Sequence, residues 1–248
     1  MILKKVDLET FDRDLMRVSK FWSRLGGEPS FEGLKVLDIG CGHGSLCVYA
    51  ASKGAKKVVG IDINERLIKF ANENVLQNYP HLKNNLEFKC CDIADLRESD
   101  FDIMLSYASF EHIQNLDKVF TEMKKRLKVG GKMYIGFGPL YNSPYGDHKL
   151  TRAFLPWGHL IIPETFLIKR LNKRCEKKIT SIYDLGLNKL SLAEYKKLFY
   201  NNNNLRILYF RVNVSNNFIS RLFSLIRHVP FLEEYFSHNL YCILEKVE

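Results

Sequence analysis

The sequence predicts an α/β fold built on a doubly wound, mostly parallel sheet. Three observations carry this expectation. Between residues 36 and 137, short apolar runs of strand length alternate with amphipathic stretches of helical period. The connections between them are short, as in successive βα units rather than hairpins. The first apolar run also enters a turn holding three glycines in five residues, where the chain must bend sharply from strand into helix.

Taken in order, residues 7–25 read as a helix. Leu8, Phe11, Leu15, Val18, Phe21, Trp22 and Leu25 recur at three- and four-residue steps, and Gly26-Gly27 followed by Pro29 stop it. Packing on the sheet is its expected role. Val36 to Ile39 is a buried strand with one acid, Asp38. Gly40-Cys41-Gly42-His43-Gly44 follows, and Leu46, Cys47, Val48, Ala50 and Ala51 supply the apolar face of a helix ending near Lys53-Gly54. Glycine permits positive φ and close backbone approach, and the free N–H groups of the next helix point at the same place. The turn is therefore read as a small-molecule cradle. Its glycines fall one residue short of the dinucleotide spacing G-x-G-x-x-G. Asp38 would repel a pyrophosphate laid beside them and suits a ligand bearing an ammonium and a sulfonium.

Val58 to Ile63 is the second strand. Asp62 stands eighteen residues past Gly44, close to the ~20 at which an acid accepts ribose hydroxyls in nucleotide-binding units. Asn64 reads as the N-cap of a helix over 65–78. Leu86 to Ile93 gives a third strand ending in Asp92 and Ile93, and Phe101 to Ser106 a fourth, followed by Tyr107-Ala108-Ser109-Phe110-Glu111-His112. A helix spans 115–127, a Gly130-Gly131 pair reads as its C-cap, and Met133 to Phe137 is the fifth strand.

Beyond Phe137 the βα rhythm stops. Pro139, Pro144, Pro156 and Pro163 interrupt residues 138–200, with helical stretches near 163–175 and 191–200. This segment is expected to cover the carboxyl ends of the strands, where open α/β sheets bind substrates. Leu205 to Val214 alternates as a sixth strand, 217–229 forms a basic amphipathic helix, and Leu240 to Leu244 is the last strand. The organisation is one domain over 1–248, with an N-terminal helix within 1–30 and a helical cap over 138–200.

Asp38-x-Gly40-x-Gly42-x-Gly44 resembles motif I of the class I S-adenosylmethionine (SAM) methyltransferases. The run from Phe101-Asp102 to Glu111-His112 and the Leu127-Lys128-x-Gly130-Gly131 turn resemble the small-molecule enzymes of the ubiquinone and menaquinone type. The resemblance implies a seven-stranded sheet of order 3-2-1-4-5-7-6 with the last strand antiparallel. It implies SAM as cofactor and S-adenosyl-L-homocysteine as product, held by Asp38, Gly40, Cys41, Gly42, Gly44, Asp62, Ile63, Asp92, Ile93 and Ser106. Asp92 would accept from the adenine amino group, with Ile63 and Ile93 on the two faces of the ring. The Asn/Asp-Pro-Pro-aromatic tetrapeptide of amino-methylating DNA and protein enzymes is absent.

Composition bounds partners and compartment. The start, Met1-Ile2-Leu3-Lys4-Lys5, runs into acids without an apolar core of a signal peptide, and no apolar run approaches the ~18 residues of a spanning helix. The six cysteines show no C-x-x-C spacing, so reduced thiols in a cytoplasmic protein are expected, with no metal. Net charge is +9, and residues 148–228 hold 15 Lys/Arg against 4 Asp/Glu. That asymmetry points to an anionic partner, such as the inner face of a membrane, or to a solvated surface.

The expected activity is methyl transfer to a small-molecule acceptor, with O-methylation favoured and an anionic, lipid-linked or saccharide-linked acceptor open. His148 or His159 is the expected base, with Asp147 orienting it, because the stretch after the fifth strand should overhang the transferable methyl. Rival readings are an RNA-modifying methyltransferase, a non-catalytic SAM-binding module, and a nicotinamide-dependent oxidoreductase, which would want the longer glycine spacing and no Asp38. Nucleic acid is the less favoured partner, and the sequence is silent on oligomeric state.

Overall fold

The computed structural model describes residues 3–174, 178–214 and 218–248. Its centre is a seven-stranded sheet of β1 (Lys35–Ile39), β2 (Lys57–Asp62), β3 (Leu86–Cys90), β4 (Phe101–Tyr107), β5 (Leu127–Phe137), β6 (Leu205–Val212) and β7 (Leu240–Lys246). The order is β3-β2-β1-β4-β5-β7-β6. β7 runs antiparallel to both neighbours and the other pairs are parallel, as expected.

Alternation along each strand divides the core in two. Val36, Val58, Ile103 and Leu105 face α1 (Lys5–Arg24), α2 (Ser45–Ser52) and α3 (Glu65–Asn78), while Leu37, Val59, Met104 and Met133 face α4 (Leu116–Arg126) and the helix over Leu192–Tyr200. α1 is fixed by Phe11, Val18, Phe21 and Trp22, all buried. Each such side chain contributes about 1.5–3 kcal/mol on burial. Asn64 caps α3 as expected, its side chain accepting from the N–H groups of Arg66 and Leu67.

Two expectations at strand ends need correction. α4 stops at Arg126 because Leu127 is already extended and pairs with Phe101. Gly130 and Gly131 therefore lie within a bulged β5 rather than capping the helix, where Gly130 takes φ +78° between the pairs Phe101–Leu127 and Ile103–Lys132. β3 ends at Cys90, so Asp92 stands in the following turn, where its Oδ1 accepts from Ala94 N–H at 2.8 Å.

Residues 138–200 add α5 (Gly158–Ile161), α6 (Glu164–Asn172) and α7 (Leu192–Tyr200), and α8 (Phe218–Ile226) precedes β7. The expected helices 163–175 and 217–229 are thus shorter, and Cys175 and Asn217 at their ends lie outside the described residues. Cys41, Cys47, Cys90, Cys91 and Cys242 are free thiols. Among the described residues no helix is long and apolar enough to cross a membrane.

Candidate active site

The carboxyl ends of β1, β2 and β4 meet at the glycine turn. Gly40, Gly42 and Gly44 all have positive φ, but their surroundings differ. A Cβ on Gly40 would lie 2.4 Å from Ser109 Oγ, and one on Gly44 2.7 Å from the Phe88 ring. A Cβ on Gly42 would meet nothing within 4 Å, so this glycine alone presents open backbone. Gly44 is instead a packing residue, letting α2 start against β3.

Asp62 ties that turn to β2. Its Oδ2 accepts from Gly42 N–H at 3.0 Å and its Oδ1 from Asn64 N–H at 2.8 Å. Beside it opens a cavity of about 660 Å³, lined by Gly40, Gly42, Asp62, Ile63, Asp92 and Ile93 among others. Ile63 is 80% exposed at the rim while Ile93 is buried, so two apolar walls and two carboxylates bound one slot. Ala108, Ser109, His112 and Gly186 also line it; His112 reads from the sequence as a structural or pocket-lining residue, and none of the other three was singled out there as a binding residue. Gly186 could not have been, since a turn of the 138–200 segment carries it there.

A second cavity of about 240 Å³ shares Gly40, Gly42 and Ala108 with the first and is lined by Asp38, Cys41 and His43. Asp14, Arg17 and Val18 of α1 close it, so this helix walls the site as well as packing on the sheet. Asp38 is buried. Desolvation pushes its carboxyl up to about 7, against the Cys47 thiol, which donates to Oδ2 at 3.2 Å and lowers it, while the Asp62 charge raises it further. An acid so poised ionises readily beside a cation.

A third cavity of about 180 Å³ adjoins the second at Tyr107 and Ala108. It is lined by Arg24, Tyr107, Ser220, His238, Asn239 and Tyr241, with Phe137 and Gly138. Arg24 Nη1 donates to Tyr241 Oη at 2.6 Å, and no carboxylate pairs with Arg24 among the described residues. Burial, and then the Arg24 charge, hold the His238 imidazole below its ordinary range. His238 Nδ1 lies 3.3 Å from Ser143 Oγ. The sequence reading missed His238. Its signal lay in topology, because an antiparallel last strand starts at the carboxyl end of its parallel neighbour, here Phe137 opposite Leu240.

The remaining expected residues fall elsewhere. Ser106 is fully buried and its Oγ donates to Ile39 O at 3.1 Å, joining β4 to β1, so it lines none of the three cavities. Asp147 and His159 are both buried inside the 138–200 segment, outside these cavities. The Asp147 carboxylate accepts from Thr151 Oγ1 and from the N–H groups of Lys149 and Thr151, and His159 Nε2 lies 2.6 Å from Tyr141 O. The two do approach, His159 Nδ1 being 3.7 Å from Asp147 Oδ1, but as an internal anchor. His148 lies against His112, with ring centroids 5.0 Å apart, and burial followed by the His112 charge pushes it down to about 4, too weak a base to suit neutral pH.

The site fits SAM on its own geometry: open glycine backbone at Gly42, carboxylates at Asp62 and Asp92, isoleucine walls, and a buried acid where an ammonium would lie. Residues 30–140 match the family described as methyltransferase domain. Over 143 residues the chain is 30% identical to the ubiquinone biosynthesis O-methyltransferase of Bartonella tribocorum, covering 58% of this chain and 52% of that protein. Over 105 residues it is 37% identical to phosphoethanolamine N-methyltransferase 3 of Arabidopsis thaliana, covering 42% of this chain and 21% of that one. The chain thus spans about a fifth to a half of these curated relatives. Geranyl diphosphate C-methyltransferase from Streptomyces coelicolor A3(2), solved with S-adenosyl-L-homocysteine, superposes with TM-score 0.60 at 16% identity over 94% of this chain and 79% of that chain, a likeness of fold. Motif, strand order and matched segment agree: the chain has the class I SAM-dependent methyltransferase fold, and its residues 30–140 match a methyltransferase domain.

Proposed function

We propose that the protein O-methylates a small anionic acceptor bound in the third cavity. The observation that carries this reading is Arg24, a guanidinium without a carboxylate partner among the described residues, placed with His238 in a polar cavity adjoining the Asp38 pocket. When bound, SAM supplies a methyl already activated on a sulfonium. The chain's own residues have three tasks. Asp38, ionised, pairs with the ammonium end, while Asp62 accepts ribose hydroxyls as it holds the glycine turn. Arg24 neutralises the acceptor's anionic group and fixes its orientation. His238, neutral at working pH, accepts the proton of the acceptor hydroxyl.

The relatives' names differ in acceptor atom, oxygen in one and nitrogen in another. A basic hydroxyl-directed pocket favours oxygen here. The test is turnover with labelled SAM across hydroxylated acceptors bearing carboxylate or phosphate, using native protein, Arg24→Gln and His238→Gln. Arg24→Gln should raise KM, and His238→Gln should lower kcat. An unchanged KM for the carboxylate- or phosphate-bearing acceptors in Arg24→Gln protein would remove the anionic assignment.

A second observation favours an acceptor presented at a membrane. Phe154, Ile161, Phe166, Phe218 and Leu225 are large apolar side chains more than half exposed, all within the segment that carries the excess of basic residues. Such a surface suits anionic lipid headgroups on the inner face of a membrane, with the protein otherwise cytoplasmic. RNA is the alternative anionic partner.

A further inference from the structure

We infer a divalent-metal site formed by Glu111, His112 and His148. One donor atom from each lies within 4.8 Å of the others. Glu111 and His112 stand on the short turn after β4 and His148 comes from the 138–200 segment, so only the folded chain assembles them. The sequence reading expected no metal because it weighed cysteine spacing, and no cysteine takes part.

What distinguishes this cluster is how each side chain is held. Glu111 is 4% exposed, its Oε1 accepts from Gly138 N–H at 3.2 Å, and its Oε2 is buried without a partner. His112 Nδ1 lies 2.7 Å from Gly186 O, which makes it the N–H donor and leaves the lone pair on Nε2. The His148 ring hydrogen-bonds to the backbone of Pro139, and its Nε2 is buried without a partner. Each member is thus tethered to backbone through one atom and turns a vacant donor toward the others. Metal-ligating histidines are held in this way, the second nitrogen donating to a carbonyl. Two unpaired buried polar atoms would otherwise be a cost without return.

His148 is further held at φ +53°, within a stretch where Tyr145, Lys149, Arg152 and Trp157 are also left-handed. Non-glycine residues persist there only when their surroundings fix them. Two imidazoles and one carboxylate select a first-row divalent ion such as Zn²⁺, Co²⁺ or Mn²⁺ over Ca²⁺, and leave coordination positions open. His112 is exposed and lines the 660 Å³ cavity, giving a route of entry. The bound ion ties the 138–200 segment to the turn after β4, beside Gly138 of the third cavity.

The experiment titrates Co²⁺ into chelator-stripped native protein, following visible d–d absorption and melting temperature, with no turnover required. The expected result is saturable one-to-one binding, displaced by Zn²⁺ and raising the melting temperature. Glu111→Gln, His148→Gln and His112→Gln should each weaken binding at least about tenfold, while His81→Gln, on an exposed residue far along the sequence, should leave it unchanged. His112→Gln alters an exposed side chain and keeps the test valid should a buried variant unfold. Absence of saturable Co²⁺ binding by the native protein, or binding indifferent to all three substitutions, overturns the site.

Discussion

Gly42 donates its backbone N–H to the carboxylate of Asp62 at 3.0 Å, so the acid expected to hold a ribose also fixes the one glycine whose surface is open. Cradle and carboxylate form a single unit. Asp62→Ala should therefore weaken SAM binding by more than a lost hydrogen bond to a charged group, about 1.5–3 kcal/mol, because the turn is released as well.

Gly42 and Gly44 are predicted to separate by experiment. Gly44→Ala should lower the melting temperature, since its Cβ would meet the Phe88 ring at 2.7 Å. Gly42→Val should shift melting by no more than the strain of a positive φ, about 1–2 kcal/mol, yet lose most SAM affinity by calorimetry. Undiminished affinity in Gly42→Val would place the cofactor elsewhere.

Asp38 predicts a pH dependence of stability. Its folded carboxyl is raised from an ordinary 3.8 to about 7, so below the lower value both states are protonated and burial carries no penalty. As pH rises through this window the unfolded state ionises and the folded one resists, which destabilises the cofactor-free protein by about 4 kcal/mol at most. Glu111, raised to about 7 by burial, acts in the same direction. Asp38→Asn should therefore be more stable than native protein at pH 8 and equal to it near pH 4, by thermal melts. SAM affinity of the native protein should rise with pH across 6 to 8, and that slope should vanish in Asp38→Asn.

His238 predicts the acid limb of turnover. Its imidazole is held below the ordinary 6.5 by burial and by Arg24, so it loses its proton at lower pH than a free histidine. At saturating SAM, kcat should fall only below pH 6.5 and should lose that limb in His238→Gln. Retention of the limb in the variant would assign it to another group.

The sheet was legible because its signals are local: strand-length apolar runs, caps such as Asn64, and glycines where φ must be positive. That Gly40, Gly42, Asp62 and Asp92 line one cavity was legible for the same reason, since they sit at strand ends a few residues from their own elements. What escaped was assembled over long separations. His238 meets Arg24 only because β7 returns antiparallel beside β5, and His159 looked available until Tyr141 and Asp147 were found around it. Ser106 was misread because alternation along β4 turns it inward onto Ile39.

Vesicle co-sedimentation tests the basic, apolar surface. Binding to anionic vesicles should be strongest at low salt and weaken as screening shortens electrostatic reach. Phe218→Ser with Leu225→Ser should reduce it while SAM binding stays intact. No sedimentation at low salt would exclude the membrane contact.

The most direct measurement is calorimetric titration of native protein and Asp62→Ala with SAM, S-adenosyl-L-homocysteine and NADH. The account predicts one-to-one binding of both adenosyl ligands to native protein, at least about tenfold weaker binding in Asp62→Ala, and no binding of NADH. Failure of native, folded protein to bind either adenosyl ligand, or preference for NADH, would contradict it.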